Sequence, residues 1–182
     1  MASVRAGETE AFGELVELHK GRLMSLCVAL MRDVHAAEEL AQDVFVRAFR
    51  YLETFDDRRP FYPWLAKIAY RLALARWQRR RREVPLPEDA HDRIAGNAAD
   101  NDPLCGLVAD ERARRLWRAV QDLPDGQRTA AVLYYCQGMD TRTVAQVLGV
   151  STGAVKTFLF RARKRLHTTL VADGDEPDRS RT

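Results

Sequence analysis

The chain has 182 residues, is 46% hydrophobic and 30% charged, and carries a net charge of +3 with a pI near 8.9. That balance belongs to a soluble globular protein of one large domain or two small ones, and no run approaches the roughly 18 apolar residues that a membrane span requires. The start MASVRAGETEAF lacks the apolar stretch of an export signal, so a cytoplasmic protein is expected.

Helical periodicity runs through the chain and no alternating strand pattern appears. Leu23, Leu26, Cys27 and Leu30 recur at i, i+3, i+4 and i+7, and Ala37, Leu40, Ala41, Val44 and Ala48 repeat the pattern in the next segment. Asp56-Asp57-Arg58-Arg59-Pro60 interrupts it. It resumes at Trp64, Leu65, Ile68, Ala69 and Leu72 and runs into RLALARWQRRRR, residues 71–82, which hold six arginines and no acid. Residues 1–83 read as a first helical domain. Residues 83–111 then carry eight Asp or Glu against the single cation Arg93, with Pro85, Pro87 and Pro103, so 84–107 reads as a flexible acidic linker.

A second helical domain is expected over 108–170. Leu116, Val120 and Leu123 lie on one side of its first helix, which stops at Pro124, and the next helix carries Ala131, Val132, Tyr135 and Cys136. Gly138 and Asp140 form a stop and a new N-cap ahead of a short helix with Val144, Ala145 and Leu148. Gly149-Val150-Ser151 is a three-residue turn, and Ser151 can cap the final helix. This is the spacing of a helix-turn-helix DNA reader. The tail, 171–182, is polar and expected to fray. The fold class is therefore all-α, two small helical domains on a flexible acidic linker.

Three surfaces are candidates for function. On the last helix Val155, Leu159, Ala162 and Leu166 share one face, while Lys156, Phe160, Arg161, Arg163 and Lys164 spread over the other. A large ring among cations suits a surface that is anionic and partly apolar, as duplex DNA is. Lys156 and Thr157 would reach base edges, Phe160 would pack on a thymine methyl or a sugar, and Arg161, Arg163 and Lys164 would hold phosphates. In the first domain Phe61, Trp64, Lys67, Tyr70, Arg71, Arg76, Arg79 and Arg80 alternate rings with cations, a face that can track a backbone while rings stack on unpaired bases. Phe55, Phe61, Trp64 and Trp77 have an alternative reading as core, and the arginine run one as a solvated helix end. The third surface is acidic. Glu38, Glu39, Gln42, Asp43, Val46 and Arg47 face away from the Ala37 stripe and suit a protein dock or a solvated face.

Cys27, Cys105 and Cys136 are odd in number and at no metal-like spacing, which points to reduced thiols. His19, His35, His91 and His167 are scattered, no Gly-rich phosphate loop appears, and no nucleophile, base and acid can be grouped. Neither catalysis nor a metal nor any other cofactor is expected.

Four motifs, in order, resemble the extracytoplasmic-function group of bacterial RNA polymerase sigma factors. GETEAFGELVELHKGRL resembles the family's opening helix and AEELAQDVFVRAFRYLETF its docking helix for the polymerase core. FYPWLAKIAYRLALARWQRR resembles its segment for promoter melting and minus-10 reading, and LPDGQRTAAVLYYCQGMDTRTVAQVLGVSTGAVKTFLFRARKRL its minus-35 domain. The resemblance spans about residues 7–83 and 112–170. It implies that Glu38, Glu39, Leu40, Gln42, Asp43 and Phe45 dock on the largest polymerase subunit, that the linker runs toward the RNA exit path, and that an anti-sigma factor restrains the chain. The family often has Asn where this chain has Arg71 and Asp where it has Ala75, close to the loop that captures a flipped minus-10 base, so the resemblance assigns no base preference there. Two other readings stay open: a stand-alone regulator binding a palindromic site, and a module that binds only proteins.

Overall fold

The computed structural model describes residues 9–83 and 111–174, with side chains over 10–80 and 111–171. All its regular structure is helical. The first part comprises α1 (Thr9–Met31), α2 (Val34–Arg50), a short 3-10 turn (Leu52–Thr54) and α3 (Phe61–Glu83). The second comprises α4 (Glu111–Gln121), α5 (Asp125–Ala131), a π-helical turn (Val132–Cys136), α6 (Thr141–Leu148) and α7 (Thr152–Gly174). The expected linker, with His91 and Cys105, lies outside the described residues. Helix α7 continues into the tail, past the expected end at 170.

The helix boundaries follow local chemistry. Asp33 caps α2 by accepting a hydrogen bond from the Ala36 amide at 2.7 Å, and Asp140 caps α6 through the Thr143 amide at 2.7 Å. Gly149 closes α6 in the left-handed region, at φ 69°, a conformation that costs glycine nothing. Arg32 adopts φ 56° at the corner between α1 and α2, a strain of about 1–2 kcal/mol that the surrounding packing must hold.

Leu23, Leu26, Cys27 and Leu30 from α1 are buried against Leu40, Val44 and Ala48 from α2 and Leu65, Ala69 and Ala73 from α3, as their periodicity predicts. Burial pushes the Cys27 thiol up to about 12, so it stays protonated and unreactive. Two expectations for the second part fail. Leu116 is 45% exposed, because α4 turns its Ala119-Val120 side inward. Tyr135 and Cys136 are also exposed. Here the amide of Gln137 bonds to the Val132 carbonyl five residues back at 3.0 Å, and this wider turn rotates the later residues off the α-helical stripe.

The two parts pack on each other. Helix α3 lies against α6, and α1 against α5. Ala29 of α1 is buried with Val120 and Val132. Next to it the fully buried Arg128 donates from Nε to the Ala29 carbonyl, from Nη1 to the Leu123 carbonyl at 2.7 Å and the Gln121 carbonyl at 3.3 Å, and from Nη2 to Asp125 at 2.6 Å. Burial, then the Arg32 charge, pulls the Arg128 guanidinium down to about 10, with Asp125 opposing. It remains charged at neutral pH. Arg32 crosses in the other direction, donating to the Leu123 carbonyl at 2.8 Å. A second clasp joins Arg22, Tyr62 and Gln137. The Tyr62 hydroxyl sits 2.9 Å from both the Arg22 carbonyl and Gln137 Oε1, and Arg22 donates to the Gln137 carbonyl at 2.9 Å.

Candidate nucleic-acid interface

The helix-turn-helix forms where the spacing places it. Ser151 accepts from the Ala154 amide at 3.1 Å and starts α7, and Gly149 to Ser151 form the turn after α6. Val155, Leu159 and Ala162 anchor one face of α7 in the core. Phe158 braces the helix against α5, where the Gly126 Cα comes so near that an added Cβ would lie 3.4 Å from the ring. The opposite face carries Lys156, Thr157, Phe160, Arg161, Arg163 and Lys164, all exposed. Phe160 is 62% exposed with no aromatic partner among the described residues. Thr157 donates its hydroxyl hydrogen to the Gly153 carbonyl at 3.0 Å, which leaves its lone pairs to accept from a base amino group. Lys164 stands at the rim, where it lines a shallow cleft with Asp122 and Arg165, a position suited to a phosphate. Arg165, which the sequence reading passed over, shares that rim.

The aromatic and basic face of α3 divides. Arg71, Arg79 and Arg80 are exposed, and Trp64, Lys67 and Tyr70 are half-buried. Phe61 is a core residue, its ring packed on Phe55 at 5.4 Å, Trp64 at 5.5 Å and His19 at 5.4 Å; it offers no face to a base. Arg76 is held inward as well. It donates to Asp43 at 2.6 Å and to the Ala36 carbonyl at 3.2 Å, so it braces α2 against α3 instead of facing a phosphate. Tyr70 turns toward the second part, where burial and then the Asp125 charge raise its phenol. Burial likewise raises the Tyr62 phenol well above its ordinary value, so the second clasp keeps its hydroxyl hydrogen.

The loop between α2 and α3 and the adjoining faces of both helices enclose an open cleft of about 380 Å³. Arg47, Tyr51, Thr54, Trp64, Ile68 and Arg71 line it, with Leu72 at the back. As candidate strand-binding residues the sequence pointed only to Trp64 and Arg71 among these; Arg47, Tyr51 and Thr54 join them across the turn from α2 to α3, which periodicity does not resolve. Ile68 and Leu72, placed on the core stripe by periodicity, are only partly buried because they form its apolar wall.

On α2, Glu38, Glu39, Gln42 and Asp43 are exposed, as expected for a dock. Leu40 is fully buried and Phe45 half-buried: Leu40 holds the helix in place and cannot touch a partner directly. Val46, 51% exposed, and Phe49, 44% exposed, extend the acidic face with apolar area, and a rim of charge around apolar contacts is common at protein interfaces.

Comparison with known proteins is consistent along the chain. Residues 15–83 match the model of sigma-70 region 2, and residues 113–166 that of sigma-70 region 4. The chain is similar to the ECF sigma factor SigW of Bacillus subtilis, at 29% identity with 92% of each chain covered. It is also similar to the sigma factor CnrH of Cupriavidus metallidurans, at 32% identity over 96% of this chain and 94% of CnrH. The structure of CnrH with the cytosolic domain of CnrY superposes with a TM-score of 0.61, at 28% identity over 94% of this chain and 95% of that one. RpoE of Bartonella quintana, solved with the anti-sigma factor NepR, shares the fold with a TM-score of 0.71, at 23% identity over 91% of this chain and 99% of that one.

Proposed function

Because this chain belongs to the extracytoplasmic-function group of RNA polymerase sigma factors, we propose that its promoter-specific initiation of transcription divides among the three surfaces just described. Helix α7 reads the minus-35 duplex. Lys156 and Thr157 contact base edges, Phe160 packs on a thymine methyl or sugar, and Arg161, Arg163 and Lys164 position the helix on phosphates. The observation that carries this reading is the α7 face itself: cations surround an exposed Phe160, the opposite face is anchored in the core, and a capped three-residue turn precedes it.

In domain one, Trp64, Lys67, Tyr70, Arg71, Arg79 and Arg80 hold the displaced non-template strand, with cations on the backbone and unpaired bases captured beside Trp64. Strand opening then draws on binding energy. The few kcal/mol for each unstacked base are recovered by stacking and by contacts in a pocket. Phe61 supports Trp64 from beneath. Helix α2 docks on core polymerase through Glu38, Glu39, Gln42 and Asp43, with Leu40 and Arg76 fixing the helix from behind and Phe45 at its edge. The chain acts in the cytoplasm as a dissociable subunit and catalyses nothing itself. An anti-sigma factor is its expected restraining partner; RpoE, which shares the fold, is in complex with the anti-sigma factor NepR in its crystal structure.

Elements about 25 base pairs apart lie some 85 Å apart along B-DNA, whereas here α3 packs on α6. Use of both elements at once therefore requires the clasps at Arg128 and Tyr62 to release.

Glu38→Arg tests the division of labour, because Glu38 is exposed and takes no part in the Arg76 brace. Reversal of this charge on the dock is expected to weaken binding to core polymerase by tenfold or more, measured by fluorescence anisotropy. Binding of the minus-35 duplex should be unchanged. Wild-type affinity for core would remove this face from the docking site.

A further inference from the structure

We propose that the free chain restrains itself: domain two grips α1 at two points and holds the chain closed, so that opening is a separate step that limits promoter use. This rests on the reading that both promoter elements are engaged at once, and it names what holds the chain shut before they are.

Both grips lie on one helix. At the first, Arg22 donates to the Gln137 carbonyl at 2.9 Å, Gln137 Nε2 donates back to the Arg22 carbonyl at 3.0 Å, and the Tyr62 hydroxyl sits 2.9 Å from Gln137 Oε1. The Arg22 guanidinium also lies over the Tyr62 ring, 4.1 Å from its centre. At the second, Arg128 donates to the Ala29 carbonyl, Arg32 donates to the Leu123 carbonyl at 2.8 Å, and Arg32 stands 3.6 Å from Asp125. Arg22 and Ala29 are two helical turns apart, about 10 Å along α1. Attachments that far apart fix the angle between the domains as well as their contact.

Both grips can also release. They consist of hydrogen-bonding groups that water can take over, and a polar interface between domains of one chain opens readily. Arg128 keeps its bonds to Gln121, Leu123 and Asp125 when α1 departs, because all three belong to domain two. Closure leaves the single-partner surfaces accessible: Glu38, Glu39 and Gln42 on α2 and Lys156, Phe160 and Arg161 on α7 are exposed. What it blocks is their joint use across a promoter. A chain that is open only part of the time binds a promoter more weakly by that fraction.

Gln137→Lys in the full chain tests this. Lysine removes the acceptor beside the Tyr62 hydroxyl and sets a cation next to Arg22, at a position outside both the dock and the α7 face. Small-angle X-ray scattering of the free variant should give a larger radius of gyration than that of the wild type. With core polymerase and promoter fragments, run-off transcription at limiting chain should rise by about fivefold, the effect of removing one or two hydrogen bonds from the closed state. Affinity for an isolated minus-35 duplex should not change. Arg22→Glu added to Gln137→Lys pairs the two positions again and should restore both the compact radius and the lower transcription, a rescue that mere loss of packing would not show. Tyr62→Phe keeps the buried ring and loses only the hydroxyl, so it should move both readouts the same way by a smaller amount, and it carries the test if Gln137→Lys fails to fold. Equal radii for wild type and folded variants would mean that these bonds do not close the free chain. A larger radius with unchanged transcription would mean that closure does not limit promoter use. Either result overturns the proposal while leaving the promoter reading in place. If wild type and variants bind core polymerase yet direct no transcript, the promoter reading itself fails and the proposal falls with it.

Discussion

Arg128→Met is expected to destabilise the protein by about 3–5 kcal/mol, the typical effect of removing one partner from a buried charged network. Arg128 is fully buried and bonds to the carbonyls of Ala29, Leu123 and Gln121 and to the carboxylate of Asp125. Methionine fills much of the same volume but donates nothing, so the Ala29 and Gln121 carbonyls lose this donor, while Leu123 keeps Arg32, each loss at about 1–3 kcal/mol. For a chain of this length each kcal/mol corresponds to about 2–4 °C, so the thermal midpoint should fall by about 10 °C. Arg128→Lys should lie between, since it restores the charge but not the planar fork. A loss below about 1 kcal/mol in urea titration would mean that the junction draws little stability from this residue.

The double variant Lys156→Glu with Arg161→Glu should lose about a hundredfold or more in affinity for the minus-35 duplex, at about 1–3 kcal/mol for each contact reversed. Fewer phosphate contacts also release fewer counterions, so the dependence of binding on salt should become shallower. Both side chains are exposed and neither forms an ion pair with another described residue, so the fold should be unaffected. Core polymerase should bind as before. Unchanged duplex affinity would show that another face of the second domain meets DNA.

The contrast between these residues explains what was legible in the sequence. The α7 face was legible because everything that creates it is local: Asp140 and Ser151 cap the amides three residues on, Gly149 takes a left-handed turn, and apolar residues at helical spacing choose the buried side. The exposed acidic face of α2 followed from the same periodicity, and that phase also places Leu40 inside, although the family motif assigned it to the dock. Where a neighbour decides, single-helix reasoning stopped short. Phe61 has the company of a base-stacking ring, but Phe55 and His19 cover it from other segments. Arg76 belongs to an arginine-rich run, yet Asp43, 33 residues away, captures it. Tyr135 and Cys136 left their stripe through one extra residue in a turn. Arg128 did leave a signal, since it sits three and four residues before Ala131 and Val132 on an apolar stripe, and a cation there has to find buried acceptors. The cleft around Arg71 was half visible: Trp64 and Arg71 share a helix, whereas Arg47, Tyr51 and Thr54 reach them only through the 52–60 loop.

Run-off transcription decides whether the chain confers promoter specificity on core polymerase. Bacterial core RNA polymerase would be supplied with a pool of genomic promoter fragments from the source organism, with and without the purified protein. Discrete transcripts that require both core and this chain are the predicted result, and Lys156→Glu with Arg161→Glu should abolish them. Core polymerase that binds the chain yet produces the same transcripts without it would contradict the account.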